Sequence, residues 1–413
     1  MNKVIGRLNT EDKRVCIWGA GISGLLMGYY LKNQGYQITI YEKSNRVGGL
    51  IQTKKISQGL VEKAANALYL NADGLELLRE LKLEPVLATK PLRRLLMIND
   101  RPKQPFQAKL MTRLLVKGHL KPPLITEGLT VAEFFKPLLG SENVSKYLTP
   151  VLGGIYATNA ESLHFRSIFH QVGNKAQFDS YWDFIKLLYK NHKAQPKLEI
   201  SGSVSFEGGM QTLINRLAEV LKHDIKLNHK EKFKLKGNTV ICTNAQDAAE
   251  LISELRPELS AELSRIKYAE ICTSTVFMKR EINALQKSFG VLIPDVSSYH
   301  SIGILNNKAI FPVNNENALA YTFISKKKLS TTEIAQDIKL LNNEIEPDAI
   351  EHAEITHWPK GLPIYDLQRY LSVKRLHQLM MNDSQLAFFG NYVGGISMRE
   401  MISTIKEFSK NPT

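Results

Sequence analysis

Apolar and polar residues follow two rhythms along this chain, and the changes between them mark its elements. Residues 14–18 (RVCIW) are a short apolar run that predicts a buried strand, ended by the glycine-rich GAGISG. The next stretch, LLMGYYLKNQG, predicts a helix that stops at Gly35, and YQITIYE predicts a second strand. Strand, glycine loop, helix and strand within about 30 residues form the βαβ unit of a parallel sheet. The helical rhythm returns from Asp73 to Leu83, in VAEFFKPLLG, SYWDFIKLLYK and MQTLINRLAEVLK, and over 331–345. Before that last helix, KEKFKLKGNTVICTN alternates as strands do and closes with the apolar TVICT. Residues 271–324 hold ICTSTVFM, SFGVLIP, SIGILNN, AIFPV and ALAYTFI, the material of an antiparallel sheet. The chain ends as strand, glycine turn and helix in LAFFGNYVGGISMREMISTIKEF. The fold class these elements predict is α/β.

The first loop carries chemistry. Gly19, Gly21 and Gly24 supply G-x-G-x-x-G directly after a strand and at the opening of a helix, the context that makes this spacing a dinucleotide signature. The first glycine permits a tight turn, the second lets backbone approach a pyrophosphate, and the third brings helix and sheet together. Phosphate then meets the positive end of the helix. Glu42 stands 18 residues after Gly24 at the end of the second strand, where a carboxylate accepts hydrogen bonds from ribose hydroxyls. Arg46, Gly48 and Gly49 in NRVGGLIQT place a second glycine pair just past that acid, so another loop backbone can reach the cofactor.

Composition narrows the picture. A chain of 413 residues can bury one large core or two, and 43% hydrophobic with 23% charged residues excludes disordered, collagen-like and heptad-only classes. Cys16, Cys242 and Cys272 form no CxxC and sit in apolar runs, which points to a reducing, cytoplasmic setting. His164 with His170, and His352 with His357, lack ligand spacing, so no metal is expected. Val15–Leu31 is a run of 17 uncharged residues, but its four glycines and its length argue against a membrane span or a signal peptide. Lys and Arg number 54 against 40 Asp and Glu, a net charge of +14. Nine of those cations, against Asp100 alone, lie in the proline-punctuated residues 86–125, expected to be loops and short helices. No nucleic-acid module with interleaved aromatics is visible there. A solvated face, an anionic lipid surface or an acidic substrate stay open.

The two glycine motifs together resemble the FAD-containing amine oxidase superfamily, in which the first motif and the RxGG run line the flavin dinucleotide. GNYVGGIS before the last helix is similar to that superfamily's final flavin-contacting segment. Within it, four runs resemble the oxygen-dependent protoporphyrinogen oxidase family: LGGIYATNAESLHFRSIF, SFEGGMQTLINRLAEVL, FGVLIP with SIGILNNKAIFP, and HWPKGLPIY. With the termini they run from about residue 14 to residue 408, in the family's order. The resemblance implies FAD, held by Gly19, Gly21, Ile22, Ser23, Gly24, Glu42, Lys43, Arg46, Gly49, Leu50, Ala64, Asn66, Tyr370, Ile396, Ser397 and Met398. It implies that Arg94 in PLRRLLM pairs with a substrate propionate, that Phe289 and Leu292 sandwich a pyrrole ring, and that the Gly154 carbonyl faces the ring nitrogens. From the residues alone, Arg94 reads equally as one more cation in a basic stretch, and Phe289 and Leu292 as core packing. The architecture implied is a discontinuous Rossmann-like FAD-binding domain (1–85, 203–280 and 365–413), a helical basic subdomain facing substrate and membrane (86–202), and a substrate-binding antiparallel sheet (281–364).

The reaction implied is the six-electron oxidation of protoporphyrinogen IX to protoporphyrin IX in haem biosynthesis, in three FAD cycles, with dioxygen reduced to hydrogen peroxide. No carboxylate or histidine stands out as a base. Two alternatives stay open: oxidation of coproporphyrinogen III, whose four propionates favour further cations, and the chemistry of another superfamily member such as an amine oxidase, against which a basic cavity argues. The resemblance also implies peripheral contact with an anionic membrane surface through the basic cluster, and leaves a homodimer open. VEKAANAL departs from the family pattern, since Ala64, Ala65 and Asn66 stand where a glycine-rich run is usual.

Overall fold

In the computed structural model, residues 3–412 are described apart from 90–91, 106–107, 194–195, 197, 201, 295–297 and 313–317. The N-terminal βαβ unit consists of the strand Arg14–Trp18, the helix Ile22–Asn33 and the strand Gln37–Tyr41, with the strands parallel. The helix is buried from Ser23 to Leu31. It is apolar on every side because it lies between the sheet and the helices Gln211–Val220 and Met398–Lys410. The sheet has six strands in the order Ile5–Gly6, Leu386–Phe388, Asn238–Ile241, Arg14–Trp18, Gln37–Tyr41, Ile225–Lys226. The first of these runs antiparallel to its neighbour and the rest are parallel. Asn238–Ile241 and Leu386–Phe388 are buried at every position, as strands covered on both faces must be.

A second sheet has seven strands, ordered Ile350–Pro363, Tyr268–Met278, Leu319–Ser325, Gly303–Asn306, Ser288–Leu292, Arg93–Ile98, Arg101–Lys103. It contains the strands expected in residues 271–324, with one correction. AIFPV does not form a strand: Asn307–Ile310 is a helical turn started by the Asn306 side chain, which accepts from the Ala309 N–H at 3.1 Å. Val313 lies outside the described residues. The basic stretch needs a larger correction, because Arg93–Ile98 and Arg101–Lys103 are strands, the former parallel to Ser288–Leu292. Leu95 to Ile98 are all buried, an apolar run that the surrounding cations and prolines mask; Lys90 lies outside the described residues. KEKFKLK also departs from expectation. After the two-residue strand Ile225–Lys226 the chain is irregular to 237, because Phe233 leaves the alternation to pack on Trp18, ring centroids 5.1 Å apart. HWPKGLPIY falls at the end of the edge strand Ile350–Pro363, and Pro359 sits at its register shift, where a missing N–H is tolerated.

The helices Ala108–Lys117, Val131–Leu139, Thr149–Tyr156 and Tyr181–Lys193 make a third layer. Phe134, Phe165, Phe178, Tyr181 and Phe184 fill its centre. Val131–Leu139 starts at a capping box in which Thr130 and Glu133 satisfy each other's backbone N–H groups. Thr149–Tyr156 leans on Ser288–Leu292, so the helical layer and the second sheet share a wall. No helix among the described residues is long and apolar enough to cross a membrane.

Candidate active site

A cavity of about 1320 Å³ runs from the C-terminal ends of the parallel strands to the face of the second sheet. That exceeds the roughly 300–1,000 Å³ of a drug-sized ligand site, and leaves room for two ligands end to end. At the dinucleotide end the wall is made by Gly19, Gly21, Ile22 and Ser23. The helix Ile22–Asn33 has no side-chain cap at Gly21, which leaves its first N–H groups at the wall. Gly24 is set back from the cavity. A Cβ there would fall on the Gly19 carbonyl oxygen, so its absence lets the turn close. Glu42 is on the wall: one carboxylate oxygen accepts from the Ala20 N–H at 2.8 Å, the other from the Ser44 N–H at 2.9 Å and hydroxyl at 2.7 Å. Lys43 is beside it, and its Nζ lies 2.6 Å from Asp247, which also receives Lys360 at 2.8 Å. Burial works against the charge of Asp247, but hydrogen bonds from the two lysines hold its carboxyl below the usual carboxylate range.

Gly49, Leu50 and Ala64 also line the cavity, as do Ile396, Ser397 and Met398 at the opening of the last helix. That helix, too, has no side-chain hydrogen bond at its N-cap, Ser397. Besides Gly24, three more expected cofactor residues lie off the wall. Arg46 turns back on its own loop, donating to the Gly49 carbonyl at 2.5 Å and the Val47 carbonyl at 3.2 Å, because the glycine turn leaves those acceptors open. It braces the loop from behind and borders a separate groove. Asn66 donates to the Ala64 carbonyl at 3.3 Å and stays off the wall. Tyr370 stacks on His164 with ring centroids 4.2 Å apart, under the helical layer rather than beside the cavity.

All four expected substrate residues meet on one wall: Arg94, Gly154, Phe289 and Leu292. Arg94 pairs in register with Gly290, and its guanidinium lies 5.0 Å over the Phe289 ring. Leu292 reaches across to Gly154, where a Cβ would sit 2.5 Å from its Cδ2. Their neighbours Leu95, Leu96, Pro105, Val151, Ile155, Ile302 and Ile304 are apolar. Among the described lining residues Arg94 is the cation at this end, while Lys43, Lys230, Lys232 and Lys360 lie toward the other.

Sequence reasoning missed an aromatic cluster at the dinucleotide end. Trp18 and Tyr41 are 5.0 Å apart by centroids, and His229 lies 4.3 Å from Tyr41. Trp18 and Tyr41 close the first two strands, immediately before the glycine loop and the acid, a position that could have nominated them. The Trp18 indole N–H is buried with no partner in the protein. Trp358 was missed too: its indole donates to the Lys63 carbonyl at 2.8 Å, as does the Thr273 hydroxyl at 2.9 Å. These bonds tie the divergent VEKAANAL loop to the second sheet, with Ala64, Ala65 and Ala67 on the cavity. The glycine cradle, two helix openings without side-chain caps, the fixed Glu42 carboxylate and the orphaned Trp18 N–H together fit a flavin dinucleotide.

Comparison with known proteins agrees with this fold. Residues 17–81 match the NAD(P)-binding Rossmann-like domain family. Protoporphyrinogen oxidase 2, chloroplastic/mitochondrial, of Arabidopsis thaliana is 27% identical, covering 95% of this chain and 92% of its own. Coproporphyrinogen III oxidase of Staphylococcus aureus (strain NCTC 8325 / PS 47) is 28% identical over 52% of each chain. A solved structure from Exiguobacterium sp. 255-15, provisionally described as a protoporphyrinogen oxidase, superposes with a TM-score of 0.75 at 16% identity, covering 98% of both chains. The resemblance read from the residues is therefore borne out: the chain is similar to protoporphyrinogen oxidases over nearly its whole length and has a fold of the amine oxidase type.

Proposed function

We propose that this protein is a flavin-dependent oxidase that converts protoporphyrinogen IX to protoporphyrin IX. The observation that carries the reading is the substrate end of the cavity, apolar on all sides with Arg94 as its cation among the described lining residues. Such a wall suits an apolar macrocycle that carries its carboxylates on one edge. Four propionates, as in coproporphyrinogen III, would leave charges facing leucine, isoleucine and valine, at a cost of several kcal/mol for each unpaired ion. When bound, FAD supplies an acceptor for two electrons at a time, so the oxidation takes three turns, with dioxygen as final acceptor giving hydrogen peroxide. The protein's own residues bind and orient: Arg94 takes a propionate, Phe289 and Leu292 hold a pyrrole ring, and the Gly154 carbonyl faces the ring nitrogens. The apolar wall excludes water, and the opening of the last helix borders both ligands. The test is porphyrin fluorescence from the FAD-loaded protein given each porphyrinogen separately. Faster appearance of protoporphyrin is expected; preference for coproporphyrinogen III overturns the substrate assignment.

The same reading has the protein attach peripherally to anionic lipid. The helix Ala108–Lys117 supports it: Leu115 and Val116 are 66% and 61% exposed, with Met111 also exposed and Lys117 and Lys121 nearby. Each lysine near an anionic surface contributes about 1 kcal/mol. Co-sedimentation with phosphatidylserine vesicles should fall with added salt and with Leu115→Asp. Binding indifferent to lipid charge and salt refutes the attachment.

A further inference from the structure

We propose that Arg369 is a positioning residue, which fixes the loop leading into the last helix and sets the positive potential at the flavin-facing end of the cavity. The proposal rests on the flavin reading above. Arg369 lies on the helix Leu367–Leu379 and is 6% exposed, among the buried charged residues. Its backbone N–H donates to the Asp366 carboxylate at 2.8 Å, but among the described residues its guanidinium bonds to no carboxylate. Nε donates to the Tyr392 carbonyl at 2.8 Å, Nη2 to the Val393 carbonyl at 3.4 Å and Nη1 to the Ser167 hydroxyl at 3.5 Å. The guanidinium also lies 3.8 Å over the ring of Tyr365. Tyr365, itself 3% exposed, donates its hydroxyl to the Asn391 carbonyl at 2.5 Å.

Three consecutive carbonyls, those of Asn391, Tyr392 and Val393, are therefore held by two stacked side chains. The loop they belong to joins the central strand Leu386–Phe388 to the helix Met398–Lys410. Its two ends, Gly390–Asn391 and Ile396–Met398, are both on the cavity wall. Neither of those wall segments can shift without disturbing the clamp.

A neutral amide could satisfy two carbonyls at lower cost. Burying a cation costs several kcal/mol, and among the described residues no carboxylate forms an ion pair with this one, so the charge needs a separate account. Its position supplies one. The last helix opens at Ser397 without a side-chain cap, and its dipole places positive potential at the wall, offset in part by Glu400 in its first turn, whose carboxylate lies beside Gly395. A buried guanidinium behind the same loop adds to that potential in a medium of low dielectric. The sum favours negative charge on a ring bound at Ile396–Met398, and therefore favours the reduced over the oxidised form of a flavin there.

Two measurements on apoprotein reconstituted with FAD separate this role from plain structural support: the FAD dissociation constant and the midpoint potential of the bound flavin. Arg369→Met should weaken FAD binding about tenfold, as loss of charge-assisted hydrogen bonds does, and should make the potential more negative. Arg369→Lys keeps the charge and loses the fork, so binding should weaken while the potential stays near that of the parent. Tyr365→Phe removes the hydroxyl's bonds to the loop backbone at Asn391 and Gly395, keeps the charge, and should weaken binding less than Arg369→Met. A folded Arg369→Met with parental affinity and potential overturns the inference. If that variant does not fold, parental affinity in both Arg369→Lys and Tyr365→Phe overturns it. A parent apoprotein that takes up no FAD instead removes the flavin reading on which the inference stands.

Discussion

The two ends of the cavity are made of different material. At the dinucleotide end the cradle is backbone, glycine turns and helix openings without side-chain caps, with one carboxylate held by three hydrogen bonds and an aromatic cluster beside it. The substrate end is side chain: one guanidinium over one phenyl ring, and aliphatic groups from two layers that touch at Gly154 and Leu292. Backbone positions tolerate almost no added atoms but many changes of neighbouring side chain. Side-chain walls tolerate replacement one group at a time and lose selectivity gradually.

Substitutions at each end should break this contrast or sharpen it. The largest effect is expected at Gly24, where added carbons meet a backbone carbonyl that cannot move aside. Overpacking of this kind costs about 3 kcal/mol or more, so Gly24→Val should weaken FAD binding by roughly a hundredfold in a fluorescence titration. Parental affinity would show that the turn is more plastic than its geometry indicates. At the other end, Arg94→Ala should raise KM for the porphyrinogen about tenfold and change kcat little, because a propionate contact made equally before and during reaction affects binding alone. A loss confined to kcat would move Arg94 from binding to chemistry.

The smallest effect is in stability against pH, and its sign differs between the two sides. His164, under the helical layer, is pushed down to about 4, first by burial, with its Nε2 donating to the Glu127 carbonyl. The unfolded chain then takes up a proton that the folded chain refuses. Stability present above the ordinary histidine value of 6.5 is therefore lost as pH falls toward 4. Glu62, which accepts from the Met210 N–H at the start of Gln211–Val220, is raised to about 7 by burial. Folding takes up a proton there, so that contribution is complete below 4.5 and fades as pH rises through about 7. Melting curves from pH 4 to 8 should show His164→Asn flattening the acid limb and Glu62→Gln the neutral one. Identical profiles in parent and variants would remove both assignments.

Legibility in the sequence followed the same division. Gly19, Gly21 and Glu42 could be placed on the wall from spacing, because a βαβ unit is local and its glycines have one geometric reason to recur. Arg46 and Tyr370 could not. Whether an arginine reaches forward to a ligand or back to its own loop depends on which carbonyls the turn leaves open, and a tyrosine's side of a helix depends on packing over 200 residues away in sequence, at His164. Arg93–Ile98 was hidden by its cations, since its reason for being a strand is pairing with Ser288–Leu292. The irregular run after Lys226 failed in the opposite way, with a two-residue alternation that finds no strand to pair with.

The parallel sheet has a consequence for the protein's birth. Leu386–Phe388 is an inner strand, seated between Ile5–Gly6 and Asn238–Ile241. During synthesis the βαβ unit leaves the ribosome more than 300 residues ahead of Leu386–Phe388, and its sheet stays open until that strand has followed. The second, mixed sheet, complete by Pro363, can be assembled earlier. Contacts of such long sequence separation form slowly, and the nascent protein waits with an unpaired edge at Asn238–Ile241, the kind of surface that chaperones cover and aggregates recruit. Chains shortened before residue 386 should therefore accumulate as insoluble protein.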